Sequence, residues 1–280
     1  MEEQKRKVAV LYHRDHDGFG AAYAVWKAAK DACELMFESV QYGEAPPMDK
    51  LRAFGPDEVY IVDFSYPADT LKMLSDEFTD VMVMDHHGTA LAELEAWGGQ
   101  FMFDLDRSGC MLAWDYFHPE DSQPELLLYV QDRDLWRFDL ENSREINAYI
   151  ATLPFEFDEW DNFYLPEAYT CGKAIIDFQN RQIEGRLKDV EVVEFATYAV
   201  PVVNASENIS ELGNELCKQY MDSPFSMTYC DRKDGKRSYS LRSIGSFDVS
   251  EVAKRFGGGG HKNAAGFTTD APDGGIYGTV

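Results

Sequence analysis

Four short apolar runs in the first half of this chain lead straight into aspartate or histidine. VAVLY (8–12) precedes His13-Arg14-Asp15-His16-Asp17-Gly18, and VYIV (59–62) precedes Asp63. VMVM (81–84) precedes Asp85-His86-His87, and LLLYV (126–130) precedes Gln131-Asp132-Arg133-Asp134. The first three runs lack polar alternation, which reads as strands buried on both faces. FMFD (101–104) reads as a fourth strand. Between these runs lie segments at helical spacing. They are FGAAYAVWKAAK (19–30), a stretch opened by Pro67, and SGCMLAWDYF (108–117) with Ser108 as the expected N-cap. Strands alternating with helices imply a parallel α/β sheet. The C-terminal strand ends of such a sheet share one edge, and ligands bind there at the topological switch point.

Carboxylates gathered on that edge would repel one another and raise each other's pKa, a penalty that a cation removes. Carboxylate oxygen mixed with imidazole nitrogen suits Mn²⁺, and less strictly Mg²⁺, Fe²⁺ or Zn²⁺. Five of the six histidines fall in these motifs or in a glycine-rich segment near the C-terminus, and only His118 lies elsewhere. The five cysteines form no C-x-x-C pair and suggest neither a disulfide framework nor a zinc knuckle. No signal peptide is visible, and no run is long and apolar enough to cross a bilayer. The expectation is a soluble, cytoplasmic protein. A net charge of −24 disfavours a protein that tracks along duplex DNA, which needs a positive face.

Residues 122–192 read as a helical middle that includes LPFEFDEWDNFYLP, an irregular aromatic connection. The last third changes character. VPVVNAS, FSMTYCD and RSYSLRS are strand-like, Asp234-Gly235 reads as a turn, and SEVAKRF reads as a helix before a glycine run. A second, smaller α/β unit over about 195–272 follows from that pattern.

The ordered set of acidic motifs over residues 8–138 resembles the DHH phosphoesterase family, named for a triplet that here is Asp85-His86-His87. Gly257-Gly258-Gly259-Gly260-His261-Lys262-Asn263-Ala264-Ala265-Gly266-Phe267 resembles the glycine-rich signature of the DHHA1 domain that commonly follows. The resemblance implies a parallel-sheet DHH domain over 1–150 and a smaller α/β DHHA1 domain over 195–280, and the segment between them, 151–194, which no motif matches, reads as a helical connection. The resemblance places the active site in the cleft between the two domains. It implies that His13, Asp15 and Asp63 hold one metal, and that Asp17, Asp63, His86 and Asp132 hold a second, with Asp63 bridging. Asp132 is preferred to Asp134 because it directly follows the apolar run. His87 would lie beside the scissile phosphate, and Asp85 would orient its neighbours. His16 would not be a ligand, because an extended stretch points it away from Asp15 and Asp17.

For the substrate phosphate, Gly258, Gly259 and Gly260 would offer close backbone N–H groups, and His261 would add a donor. Arg242 is the candidate for a forked contact. Ser108-Gly109, at a helix start, is open to phosphate or to plain capping. The resulting expectation is a manganese-dependent phosphoesterase, with magnesium as the alternative ion. It would cleave small nucleotides or short oligonucleotides with water activated by two metals, would involve neither duplex DNA nor a membrane, and leaves room for a homodimer. An inorganic pyrophosphatase or polyphosphatase, and a nucleotide-binding sensor without catalysis, are the competing readings.

Overall fold

The computed structural model describes residues 5–270. The chain divides into two compact units at residues 176 and 177.

The first unit is built on a parallel sheet of five strands in the order β2-β1-β3-β4-β5. They are β1 (Arg6–His13), β2 (Cys33–Val40), β3 (Glu58–Val62), β4 (Val81–Asp85) and β5 (Gln100–Phe103). The connections are α1 (His16–Ala29), α2 (Met48–Phe54), α3 (Ala68–Glu77) and α4 (Leu91–Trp97). Further helices follow: α5 (Gly109–Phe117), α6 (Glu125–Asp134), α7 (Ser143–Ile150), α8 (Phe157–Asp161) and α9 (Leu165–Arg186), the last running past the unit boundary. Successive side chains on a strand alternate between faces, and β1 shows the rule. Val8 and Val10 pack into one core with residues of α1, α5, α6 and α7. Ala9 and Leu11 pack into the other with Leu51, Leu71, Leu74 and Leu94 of α2, α3 and α4. With both faces buried, a one-residue slip would exchange every core side chain, so the register is firmly specified.

β2 carries Glu34 and Glu38 and lies at the sheet edge, which explains why it lacks the unbroken apolar signature of its neighbours. From β1 the chain crosses to β2 on one side and then to β3 on the other. The switch point therefore lies between the C-terminal ends of β1 and β3, at His13 and Asp63.

The aromatic connection is more ordered than its composition suggests. It contains α8, whose Trp160 is fully buried. Phe155 and Phe157 stack on Phe19 of α1 at 4.9 Å each, and Trp160 meets the same ring edge-on at 4.9 Å.

The second unit carries β6 (Glu191–Phe195), β7 (Tyr198–Asn204), α10 (Ile209–Gln219), β8 (Ser226–Asp231), β9 (Lys236–Arg242), α11 (Val249–Arg255), β10 (Gly259–His261) and β11 (Ala264–Asp270). The strands form one mixed sheet in the order β10-β11-β9-β8-β7-β6, in which only β7 and β8 run parallel. Val200, Val202, Met227, Leu241 and Phe267 pack with α11, and Val203 packs with Leu212 and Leu216 of α10. The expected fold class, a parallel α/β unit followed by a smaller α/β unit, holds. All five cysteines are free. Among the described residues no helix is long and apolar enough to cross a membrane.

Candidate metal centre

Each acidic motif reaches the switch point by its own local logic. β1 ends at His13, and the chain turns directly into α1 with Asp15 as its N-cap, whose carboxylate accepts from the Gly18 N–H at 2.9 Å. Asp17 therefore lies in the first helical turn. The segment after Asp15 is helical, not extended. His16 still leaves the cluster, packing on Phe155 with ring centroids 5.1 Å apart, and burial holds its imidazole below the usual range. Asp63, one residue past β3, adopts a left-handed backbone with φ 63° while its N–H donates to the Met84 carbonyl at 2.8 Å. Aspartate is among the few non-glycine residues that tolerate this conformation, and residues so held gather at functional sites.

Asp63 divides its two oxygens between two donor sets. Oδ1 lies 3.1 Å from His86 Nε2, which is also 3.5 Å from Asp17 Oδ2 and 3.5 Å from Asp134 Oδ2. Oδ2 lies 3.6 Å from His13 Nδ1, which is 2.9 Å from Asp15 Oδ2. His13, Asp15 and Asp63 can each direct one ligand atom within 4.8 Å of the others, as can Asp17, Asp63 and His86. Asp17, Asp63 and His86 are each 1–2% exposed.

Such crowding is costly for charged groups. Burial, then the charges of Asp17 and Asp15, push Asp63 well above the usual carboxylate range. Burial and Asp17 push Asp134 up to about 8. Burial would lower His13, but the carboxylates of Asp15 and Asp63 overturn it and raise the ring to about 10. Asp63 Oδ2 is buried and has no hydrogen-bond partner among the described residues. One imidazole nitrogen in each set with carboxylate oxygens, a shared carboxylate and an unsatisfied buried oxygen are what a pair of hard divalent cations would complete.

The expected triplet divides its work. Asp85, fully buried, accepts at Oδ1 from the backbone N–H of His86 at 2.7 Å and of His87 at 3.1 Å, and from the His87 ring Nδ1 at 2.8 Å. It thus fixes both the backbone turn and the orientation of one ring.

Two expectations need correction. Asp132 does not join the cluster. Its carboxylate accepts from the backbone N–H of Asp139 at 2.9 Å and of Leu140 at 3.3 Å, while Asp134 approaches His86. The reason is helical geometry. In α6, residues 132 and 134 point about 200° apart. Asp134 instead continues the stripe of Leu127, Val130 and Gln131, which are buried. Reading LLLYVQDRD with a period of 3.6 would have found it.

Ser108 makes no side-chain cap; the N-terminus of α5 is capped by a residue distant in sequence. The N–H groups of Gly109 and Cys110 donate to Asp17 Oδ2 at 2.6 Å and Oδ1 at 3.1 Å. The positive end of the helix therefore holds a proposed metal ligand, neither a phosphate nor its own serine. Gly109 also makes room for Asp63. A Cβ there would meet Asp63 Cβ at 2.4 Å and Oδ1 at 2.6 Å. Gly109→Ala should weaken Mn²⁺ binding at least about tenfold and destabilise the fold by about 1–3 kcal/mol, as overpacking does. Wild-type affinity by titration calorimetry would refute this.

In the second unit, Arg242 Nη2 donates to Ser210 Oγ at 2.6 Å and Nη1 to the Leu241 carbonyl at 2.9 Å. The glycine run is not a free loop. Gly259–His261 pair with β11, and a Cβ at Gly258 would strike the Gly266 carbonyl at 2.1 Å. Gly260 has φ 138° against Ala265, whereas nothing lies within 4 Å of a Cβ built at Gly259. Close strand packing thus accounts for Gly258 and Gly260, whereas Gly257, with φ 76°, and Gly259 have nothing within 4 Å of a built Cβ.

Comparison with known proteins supplies an independent line. A family model of the DHHA1 domain matches residues 196–274. The chain is 32% identical over 282 residues to the "Uncharacterized protein R106" of Acanthamoeba polyphaga mimivirus, covering 92% of this chain and 66% of that protein. It is 27% identical over 288 residues to oligoribonuclease NrnB of Bacillus subtilis (strain 168), covering 91% of this chain and 71% of that protein. This chain therefore spans about two thirds of the length of these relatives. A solved structure of exonuclease RecJ bound to manganese shares the fold with a TM-score of 0.55 at 14% identity, covering 95% of this chain and 86% of that one.

Proposed function

Since the chain belongs to the DHH/DHHA1 family of phosphoesterases, we propose that it hydrolyses phosphodiester bonds of short oligonucleotides or small nucleotides, using two divalent cations. The observation that carries this reading is the division of Asp63, one oxygen toward His13 and Asp15, the other toward His86, Asp17 and Asp134. His13, Asp15 and Asp63 would hold one ion, and Asp17, Asp63, His86 and Asp134 the other. Manganese is the proposed ion, as in the RecJ structure, with magnesium the alternative. Bound there, the pair would supply Lewis acidity and an activated water.

The remaining chemistry belongs to the chain. Asp85 holds His87 by its Nδ1, which fixes the orientation in which that ring would meet the substrate. Asp17 is fixed by the α5 amides before any ion arrives, so part of the ordering entropy of the site is met on folding. Gly259, Arg242 and His261, together with Gly258 and Gly260 of the same run, are proposed to contact the substrate phosphate. The net charge of −24 favours short substrates over long polyanions.

A panel with Mn²⁺ tests the reading: di- to pentaribonucleotides, cyclic dinucleotides, 3′-phosphoadenosine 5′-phosphate and pyrophosphate. A nucleotide or oligonucleotide should exceed pyrophosphate in kcat/KM by at least about tenfold, a difference of about 1.4 kcal/mol in transition-state binding. Preference for pyrophosphate, or no turnover at all, would count against it.

A further inference from the structure

Tyr42 is a residue that the motif reading passed over. It lies just beyond β2, next to the strand that ends at His13. Its ring stands 5.0 Å from that of His13 and 5.7 Å from that of His87, inclined by 62° and 75°. Neither contact is a parallel stack, and the residue remains 52% exposed. The ring thus borders a buried, highly charged cluster while half of the residue stays open to solvent.

Its turn is held in place. The Gln41 N–H donates to Glu44 Oε2 at 2.9 Å, and the Glu44 N–H donates back to the Gln41 carbonyl at 3.0 Å. Arg14, between His13 and Asp15, ties the approach to this turn to the metal-binding segment. Its Nε donates to Ser39 Oγ at 3.2 Å and its backbone N–H to the Val40 carbonyl at 3.2 Å. The ring is thus positioned by the same stretch of chain that supplies His13 and Asp15.

We propose that Tyr42 is the platform on which a base of the substrate stacks, so that the site selects nucleotides over base-free phosphodiesters. This rests on the hydrolase reading above and adds to it the chemical feature by which substrate is recognised. Every base has a π-face, so one exposed ring beside the scissile phosphate would favour base-bearing substrates without demanding a particular sequence. Phosphate contacts alone would not separate a dinucleotide from any other diester of similar charge.

The test compares wild type, Tyr42→Ala, Tyr42→Phe and Tyr42→Trp. The substrates are a diribonucleotide and its abasic counterpart, two riboses joined by the same diester. Tyr42→Ala should raise KM for the diribonucleotide by about 10- to 100-fold, the range of one lost base–aromatic stack, with little change in kcat. KM for the abasic diester and Mn²⁺ affinity by calorimetry should not move. Tyr42→Phe and Tyr42→Trp should restore the wild-type KM. Equal losses on both substrates, loss of Mn²⁺ binding, failure of Tyr42→Phe to rescue, or no change in Tyr42→Ala would each overturn the stacking role. Wild-type protein that binds Mn²⁺ but cleaves neither diester would instead overturn the hydrolase reading, and the stacking role with it.

Discussion

Asp63→Asn should abolish metal-dependent hydrolysis, by at least about a thousandfold in kcat/KM, while making the metal-free protein more stable. The first effect follows from geometry. Among the described residues Asp63 is the one side chain that faces both donor sets, so no neighbour can replace its charge. Losing several kcal/mol of charge stabilisation corresponds to that factor. The second follows from linkage. A carboxyl raised in the native state keeps a proton that the unfolded chain has released, so its ionisation works against folding. Asparagine is isosteric, carries no charge and tolerates the φ of 63°.

The pH dependence has a definite sign. Asp134, raised to about 8, makes the metal-free wild type lose stability as pH climbs from about 4, its unfolded value, through 8. His13, raised to about 10, contributes stability that is complete below its unfolded value near 6.5 and fades as pH rises toward 10. Both act in the same direction. Saturating Mn²⁺ should flatten this slope in wild type and leave it unaltered in Asp63→Asn. Thermal melts between pH 4 and 8, with and without Mn²⁺, measure it. A variant that retains activity within tenfold of wild type, or gains as much Tm from Mn²⁺, would sink the bridging role.

The paired variants Asp134→Asn and Asp132→Asn should fail in opposite ways. Asp134→Asn is expected to lower hydrolysis by about a hundredfold or more, because a carboxylate proposed as a ligand, 3.5 Å from His86, loses its charge. Its metal-free stability should not fall. Asp132→Asn should cost about 1–3 kcal/mol of stability, the usual penalty when buried polar groups lose their partner. Asp132 is 5% exposed and clasps the turn after α6, in which Trp136 and Phe138 both hold φ 54°. Strained backbone of this kind persists only while its surroundings hold it. Calorimetry with Mn²⁺ and denaturation curves separate the two. Loss of metal binding in Asp132→Asn, with normal binding in Asp134→Asn, would reverse the assignment.

What could be read from the sequence divides along physical lines. β1, β3 and β4 were legible because a strand covered on both faces must be continuously apolar, and the residue after it stands out. His13, Asp63 and the Asp85-His86-His87 triplet were found that way. β2 escaped because Glu34 and Glu38 interrupt it on the sheet edge. Asp134 was ranked behind Asp132 because the residue after an apolar run is the significant one on a strand but not on a helix, where the period decides. The capping of α5 by Asp17 joins positions 92 residues apart, and no local pattern announces such a pair. β10 was obscured because glycine carries no strand signature, although its backbone pairs as well as any other.

The aromatic middle of the first unit has a mechanical consequence. A helix whose opening turn bears a proposed ligand must not creep along its own axis, since a slip of one residue shifts it by about 1.5 Å. That displacement would carry Asp17 out of reach of the 2.6 Å bond from Gly109. Phe19, two positions further along α1, is wedged between Phe155, Phe157 and Trp160. Those three rings resist axial movement of α1, so a stretch that supplies no ligand to the proposed ion pocket helps fix the place of one that does.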